Sequence, residues 1–598
     1  MLRAAATAAA GRPPGRASQS MPSPPDESAR ASGPAGDDEA LAGTGPERAT
    51  AVTTGDAPVD GADTDPVGPA PAAPETPPGP AADDALSARL RLLRRIGWVA
   101  CTCMALGLFA YSVHIYRRFD LTTDFAISNQ AWTLIAHGHL DPYSTLNPYN
   151  YPHYGYPFWK DHFELIMWPL ALLWFLYPHS IDLLFVQDVG LAGSTLVAFL
   201  FLVDLLDRRW ASRPRTAGAS RVPVALAAGG LVALLINPWT YWAASFDFHI
   251  EPLAALFLLL AARDLWAGRG RRSLVWIVLV LLCGNVSSTY LFALGICAVL
   301  ARRDLRRKGV GLMALGLVWA EAVGAVGGGT GTLIAGNYGY LAHPRPGQTP
   351  SNLAIVKGAL LHPGTPLHML HSRAANIYRI LAPSGIIGVA SPLGFGVAFV
   401  VLLSNELNAS PVFSSPLSSF QNLPLCWFVL IGSVELLAWF LTRPARAWRW
   451  GAAVVGVGLL VQCVVLAVLW IPRAPTEFLV VDGPTAAALA RVESGIPAGD
   501  EVIASQGVVG RFGDRQYVYP FLDLGGGGQV VPLHGVPVTV VLTSAGVEYT
   551  TPADIDATVA HLESLGARRI PSGHGVVALR WRPPPGARSL TIPPTTPG

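Results

Sequence analysis

The chain has 598 residues, of which 51% are hydrophobic and only 14% charged, with a formal net charge of +2 and a mean hydropathy of +0.39. Soluble domains carry roughly 25% charged residues, so the composition excludes an ordinary soluble enzyme and points to an integral membrane protein. The six cysteines (Cys101, Cys103, Cys283, Cys297, Cys426 and Cys463) all fall in apolar runs, which favours small buried hydrophobes over a disulfide framework or a shared metal.

Residues 1–85 are rich in Ala, Pro, Gly, Asp, Ser and Thr. Such a segment buries too little apolar surface to offset its ordering entropy and is expected to be disordered. Its opening MLRAAATAAAGRPPGRASQS lacks the sustained apolar core of a signal peptide, so a cytoplasmic tail is expected. The first span is predicted over Ile96–Val113, with the basic run Arg89–Arg95 placing its start in the cytoplasm by the positive-inside bias.

The stretch from Tyr116 to Glu164 then begins outside. It carries Asp120, Asp124, Asp141, Asp161, Glu164, four histidines and many aromatics, and a polar loop at a membrane surface is where a function would sit. The next apolar run, Leu165–Pro178, falls short of the roughly 20 residues that a crossing needs; it is expected to lie at the surface. That choice also leaves the basic linker up to Arg221 inside. Further spans are predicted over Leu183–Leu206, Val224–Ser245, Pro252–Ala262, Leu274–Leu300, Val310–Ala335, Ile380–Leu403, Leu423–Leu441 and Ala452–Trp470. Arginine clusters at both ends of Leu274–Leu300 require the chain to turn back, and Gly284-Asn285-Val286-Ser287-Ser288 is the predicted break; Ser391-Pro392 is a second. The total is about eleven crossings, with a second polar outer loop over 336–378.

Residues 477–582 differ in kind. DEVIASQGVVGRFGDRQYVYPFLDL and VTVVLTS read as strands, ADIDATVAHLESLG as an amphipathic helix with Ile555, Val559 and Leu562 on one face, and HGVVALRWR as a closing strand. A small α/β domain outside the membrane is expected, then a disordered Pro-rich end over 583–598. The Gly525–Gly528 run lacks the strand-turn-helix context of a phosphate cradle, no nucleotide, zincin or nucleophile-elbow motif occurs, and nothing points to nucleic acid.

TTDFAISNQAW, KDHFELIMWPL, SFDFHIEPLA and IPAGDEVIASQGVVGRFGDRQYVYPF together resemble the multi-spanning membrane family known as domain of unknown function 2079, over roughly Ile96–Trp581. That family in turn resembles the C-type (GT-C) glycosyltransferases, which take sugars from polyprenyl-phosphate donors and typically need an acidic residue in the first outer loop. The resemblance implies an α-helical polytopic fold of GT-C type, a membrane-lipid environment, a polyprenyl-phosphate sugar donor as partner, and Asp124 as the essential carboxylate. Many relatives carry a Lys-Glu-Asp element where this chain has Gly284-Asn285-Val286.

As a general base, Asp124 would sit in a sparsely hydrated pocket that raises its pKa; alternatively it caps a helix starting at Phe125. Asp161, His162 and Glu164 are candidates for holding a divalent cation or a phosphate-bound cation, or are interface polar residues. Asp247, His249 and Glu251 alternate and would share one face of an extended segment; carboxylates at a membrane rim are costly and often functional, although the spacing is a weak metal signal. The tyrosine-rich YSTLNPYNYPHYGYPFW is either a stacking surface or an interfacial aromatic belt. Arg373, with Arg345, His371 and Arg379, is a candidate pyrophosphate clamp, because the planar guanidinium bonds phosphate oxygens in pairs. The functional expectation is a glycosyltransferase at the outer face of the plasma membrane, with a transporter or flippase and a non-catalytic envelope assembly protein as alternatives.

Overall fold

A computed structural model describes residues 80–593, except 148–150, 212–220, 285, 328–329, 346–347, 411–419, 523–527 and 549. The expected disordered tail up to residue 79, Asn285 of the predicted break and most of the Gly525–Gly528 run lie outside the described residues. The first helix, α1 (Pro80–Arg118), starts well before the predicted span. Leu86 and Leu90, four residues apart and both buried, carry one helical face through the basic run.

α2 (Thr123–Ala136) lies in the first polar loop, followed by a small hairpin of β1 (Tyr143–Ser144) and β2 (Tyr156–Pro157). Leu165–Pro178 forms only the turns Met167–Leu170 and Ala171–Phe175, too short to cross. The bundle continues with α3 (Ile181–Ala211), α4 (Arg221–Leu235), α5 (Pro238–Ser245), α6 (Glu251–Trp266), α7 (Gly270–Leu282), α8 (Ser287–Ala301) and α9 (Arg306–Gly327). The second polar loop is built of short helices, including Thr330–Tyr338, Asn352–Leu361 and Gly364–Ser372. Ser391 breaks the next run as expected, its hydroxyl accepting from the Gly394 N–H at the start of helix Pro392–Val397. α10 (Leu423–Leu441) and α11 (Arg446–Trp470) complete the bundle.

Among the described residues, six helices are long and apolar enough to cross a membrane; the other predicted crossings fall on shorter helices. α3 and α10 form the inside, each 78% buried over its most apolar window, whereas the Arg446–Phe478 span is 17% buried and turns its valines outward to lipid. Four arginines gather at one end of the bundle. Arg94 and Arg263 both bond Asp204 (3.1 and 2.8 Å), and Arg208 and Arg302 both donate to the Trp266 carbonyl (2.6 and 2.8 Å). Chain alternation through α1, α3, α6 and α8 requires this shared end.

Residues beyond α11 form α12 (Gly483–Gly495), α13 (Pro552–Ser564) and a five-stranded sheet in the order β4-β3-β6-β8-β7, from β3 (Glu501–Ser505), β4 (Val518–Phe521), β6 (Val538–Thr543), β7 (Arg568–Gly573) and β8 (Val576–Trp581). β3 pairs in parallel with β4 and β6, while β8 runs antiparallel to β6 and β7. Every residue of β3, β4 and β6 is buried, as strands covered on both faces must be. Asp482 and Thr551 cap the two helices through the N–H groups of Thr485 and Asp554. The end of the chain departs from expectation. Ser589–Ile592 forms β9, antiparallel to β5 (Gln529–Pro532), because Leu590 and Ile592 alternate with polar neighbours and bury one face.

Candidate active site

α1 ends at Arg118, and Phe119 turns the chain with φ of 62°, a conformation costly for a bulky residue unless its surroundings hold it. Here Phe119 is fully buried against Phe512 and under the Arg511 guanidinium, 4.4 Å from the ring centroid. The turn aims Asp120 at the segment leading into the C-terminal domain, where its Oδ1 accepts from the N–H groups of Val480 (2.9 Å) and Val481 (2.8 Å). Burial pushes the Asp120 carboxyl up to about 7, against the pull of those two N–H groups and Arg118.

α2 then begins at Thr123 with Thr122 in the N-cap position. Asp124 is therefore inside the first turn and does not cap a helix at Phe125. A carboxylate there is favoured by the helix dipole. Its Oδ2 lies 3.6 Å from Nε2 of His249, an ion-pair distance longer than a direct hydrogen bond. The His249 side chain is 9% exposed and that of Asp124 47%. Asp247, His162 and His249 all lie close enough to Asp124 to influence it.

Three residues fix His249. Its ring stacks on Phe420 (centroids 3.5 Å, 18°) and on Phe246 (5.5 Å, 22°). Its backbone N–H donates to Gln187 Oε1 (2.6 Å), and Gln187 Nε2 donates to the Asp247 carbonyl (2.9 Å). Gln187 thus pins the non-helical link between α5 and α6 to α3. Asp247 has φ of 42°, a left-handed conformation that aspartate tolerates better than most residues. Its carboxylate accepts from the Thr122 N–H (2.7 Å) and from the Thr122 hydroxyl. The expected shared face of Asp247, His249 and Glu251 does not form, because the left-handed turn sends Asp247 towards Thr122, His249 towards Asp124, and leaves Glu251 to open α6.

The electrostatics also differ from expectation. Burial opposes ionisation of Asp124, but pairing with His249, aided by His162, holds its carboxyl below the usual carboxylate range. Burial works against the charged form of His249 too, and Asp124, Glu251 and Asp247 together raise it. Asp247 is pushed up to about 6 by burial and by the nearby Asp124 charge, against the Thr122 hydrogen bonds. The resulting arrangement pairs a carboxylate with an imidazole whose charged form is favoured, beside a carboxyl raised by burial.

Glu164 is buried, and its Cγ is the atom that a side chain at position 284 would meet first, at 3.1 Å; Gly284 also has φ of +108°. Only glycine serves there. Glu164 and Glu251 both lie within electrostatic reach of Cys283. Asp124, His162, Glu164, Asp247, His249 and Glu251 are thus brought to one region. Asp161 closes the short helix Phe158–Asp161, and its side chain lies outside the described residues. Arg373 sits elsewhere, buried and donating from Nη1 to the carbonyls of Glu406 and Asn408 (both 2.7 Å). Among the described residues, no group of three or more His, Cys, Asp or Glu side chains is arranged to hold a metal ion.

The C-terminal domain closes over α2, which sequence reasoning did not anticipate. The Gly510 N–H donates to the Leu121 carbonyl (3.0 Å), and a Cβ on Gly510 would meet the Leu121 Cβ at 2.5 Å. Gln130 Nε2 donates to Thr145 Oγ1 (2.9 Å) and to the Gln516 carbonyl (3.0 Å), and the Thr145 hydroxyl donates to the Val518 carbonyl. Arg511 donates to the Tyr116 carbonyl (2.9 Å), pairs with Glu493 (2.5 Å) and lies over the Tyr116 ring. The segments TTDFAISNQAW and GVVGRFGDRQYVYPF are therefore one surface.

The model of the predicted membrane protein family DUF2079 matches residues 117–524, a span that encloses these two docked segments. The chain belongs to that family. No curated protein matches the sequence. Among solved structures, the crystal structure of ArnT from Cupriavidus metallidurans in the apo state is similar over 81% of this chain and 98% of that one, at 15% identity and a TM-score of 0.38. In this DUF2079 protein, the residues that sequence reasoning missed are Thr122, Gln187 and Phe420. Gln187 leaves a signal, a polar residue inside the apolar α3; the other two leave none.

Proposed function

We propose that this protein is a membrane-embedded glycosyltransferase, moving a sugar from a polyprenyl-phosphate carrier to an acceptor hydroxyl at the outer face of the plasma membrane. The observation that carries the reading is the Asp124–His249 pair, a half-exposed carboxylate whose ionised form is favoured by a mostly buried imidazole. Its support is chemical. Asp124 takes the proton of the acceptor hydroxyl, the freed oxygen attacks the anomeric carbon, and the bond from that carbon to the phosphate oxygen breaks with its electron pair leaving on the lipid phosphate. Pairing with His249 keeps Asp124 in the base form, and Gln187 and Phe420 hold the imidazole in place. On this reading the N-terminal tail is cytoplasmic, and residues 477–582 form an extracytoplasmic domain roofing the site.

The test is Asp124→Asn in the full chain, with membrane insertion checked by protease protection and lipid-linked glycans and envelope polymers profiled in cells. A general base contributes about 10²–10⁴-fold, so glycan transfer should fall by at least the lower figure while the protein remains inserted. Unchanged glycans in both the variant and a gene deletion would discard the reading in favour of transport or assembly.

A further inference from the structure

The residues on either side of 411–419, Asn405 and Asn408 before it and Gln421 after it, border a feature that the transfer step leaves unused. A recess of about 210 Å³ lies between α8, helix Thr330–Tyr338 and the chain around helix Leu403–Leu407, lined by Thr289, Tyr290, Asn337, Asn405, Asn408 and Gln421 together with Val286, Val401 and two further hydroxyl side chains. No lysine, arginine, histidine, aspartate or glutamate is among the lining residues described.

The walls are fixed from behind. Tyr338 donates to the Ser404 carbonyl (3.1 Å), Asn405 Nδ2 donates to Asn422 Oδ1 (3.0 Å), and Arg373 grips the Asn408 carbonyl (2.7 Å). Tyr290 donates to the Gln421 carbonyl at 3.4 Å, and Gln421 follows Phe420, the ring stacked on His249. Tyr290 is also within electrostatic reach of Glu251. The recess thus abuts the carboxylate–imidazole cluster, with Phe420 and Tyr290 between them.

Amides and hydroxyls both donate and accept, which matches the hydroxyl groups of a sugar, while the valines and tyrosines offer contact for its C–H face. A charged group would lose its hydration there and find no counter-charge on the lining. The volume equals that of about seven waters at ~30 Å³ each, enough for one ring and not for a chain of them.

We propose that this recess seats a single neutral sugar ring, either that of the lipid-carried donor or that of the acceptor. The inference rests on the glycosyl-transfer reading and gives it a specificity, neutral over acidic or amino sugars. The test uses the full-length protein in lipid nanodiscs, with methyl β-glucoside, glucuronic acid and glucosamine as probes and saturation-transfer NMR as readout. The neutral glycoside should bind at least about tenfold tighter than either charged sugar. Gln421→Leu and Asn337→Leu should each weaken it roughly fivefold to tenfold, the loss expected for one hydrogen bond. Asn337→Asp, nearly isosteric and usable where a leucine variant is unstable, should shift preference to glucosamine. Preloading with a short-chain polyprenyl-phosphate glucose blocks the glycoside if the donor ring sits here and leaves it bound if the acceptor does. Equal binding of the three sugars, no binding of the glycoside, or undiminished binding to the variants overturns the proposal. Full glycan transfer by Asp124→Asn, with glycoside binding retained, would defeat the transfer reading and leave the sugar seat standing.

Discussion

Arg511→Met is the most informative single change at the seam between the first loop and the C-terminal domain. Methionine keeps much of the apolar contact with Tyr116 and Phe119 but removes three interactions: the hydrogen bond to the Tyr116 carbonyl, the pair with Glu493 and the stacking on two rings. A charge-assisted hydrogen bond contributes about 1.5–3 kcal/mol, and guanidinium–ring stacking about 0.5–2 kcal/mol. Removing one member of a fully buried ion pair costs about 3–5 kcal/mol; Arg511 and Glu493 keep 15% and 22% exposure, so water relieves part of this. A total loss of about 3 kcal/mol is expected. Burial already raises the Glu493 pKa, with Arg511 opposing it, so the variant raises it further. A carboxyl whose folded pKa exceeds its unfolded value costs stability as pH rises above the unfolded value, and the loss should therefore be larger at pH 8 than at pH 5. Pulse proteolysis in denaturant reads the free energy of opening. In a double-mutant cycle, Arg511→Met with Glu493→Gln should recover at least about 1 kcal/mol. Additivity within ~0.5 kcal/mol, or a loss independent of pH, would refute the account of the seam.

Asp120 has a folded pKa of about 7, above its ordinary 3.8, so its contribution is fully present below pH 4 and is lost as pH rises through 7; thermal midpoints measured from pH 4 to 8 should fall over that window, and Asp120→Asn should flatten the slope. Phe420→Ala removes the largely buried ring beneath His249 and should cost about 3 kcal/mol, with a lowered imidazole pKa seen by NMR as the pairing with Asp124 loosens. Gly510→Val drives its Cβ into Leu121 and should cost about 1–3 kcal/mol, opening residues 483–592 to protease; normal protection in that variant would show that the contact yields freely.

Much of the helical architecture was legible because apolar length and arginine placement report the bilayer directly. The Ser391 break and the surface turns after Leu165 follow from local chemistry. The convergence of Asp124, His162, Glu164, Asp247, His249 and Glu251 on one region was partly visible through family motifs. Their partners were not. Asp247 meets Thr122 across 125 positions and Gln187 meets it across 60, and no local pattern encodes such pairings. The pKa direction of Asp124 was misjudged for the same reason, since burial was readable and His249 as a partner was not. β9 was hidden by the prolines around it, which masked a short alternating pattern.

The seam also constrains how the molecule comes into being. α2 buries twelve of its fourteen residues, among them Ser128, Asn129, Gln130 and Thr133, and part of its cover is supplied by residues 386 positions later. Such a helix is too polar for lipid and has little to pack against while the chain is still being made. It must wait at the membrane surface through the insertion of every later span, and its cover is complete only when the last domain has been delivered. A chain halted before residue 510 would hold its complete set of long apolar helices and all six clustered acidic and histidine side chains, yet lack the lid that turns them into a site. On the proposed transfer reading, synthesis itself would then act as the timer that keeps an unfinished copy from reacting.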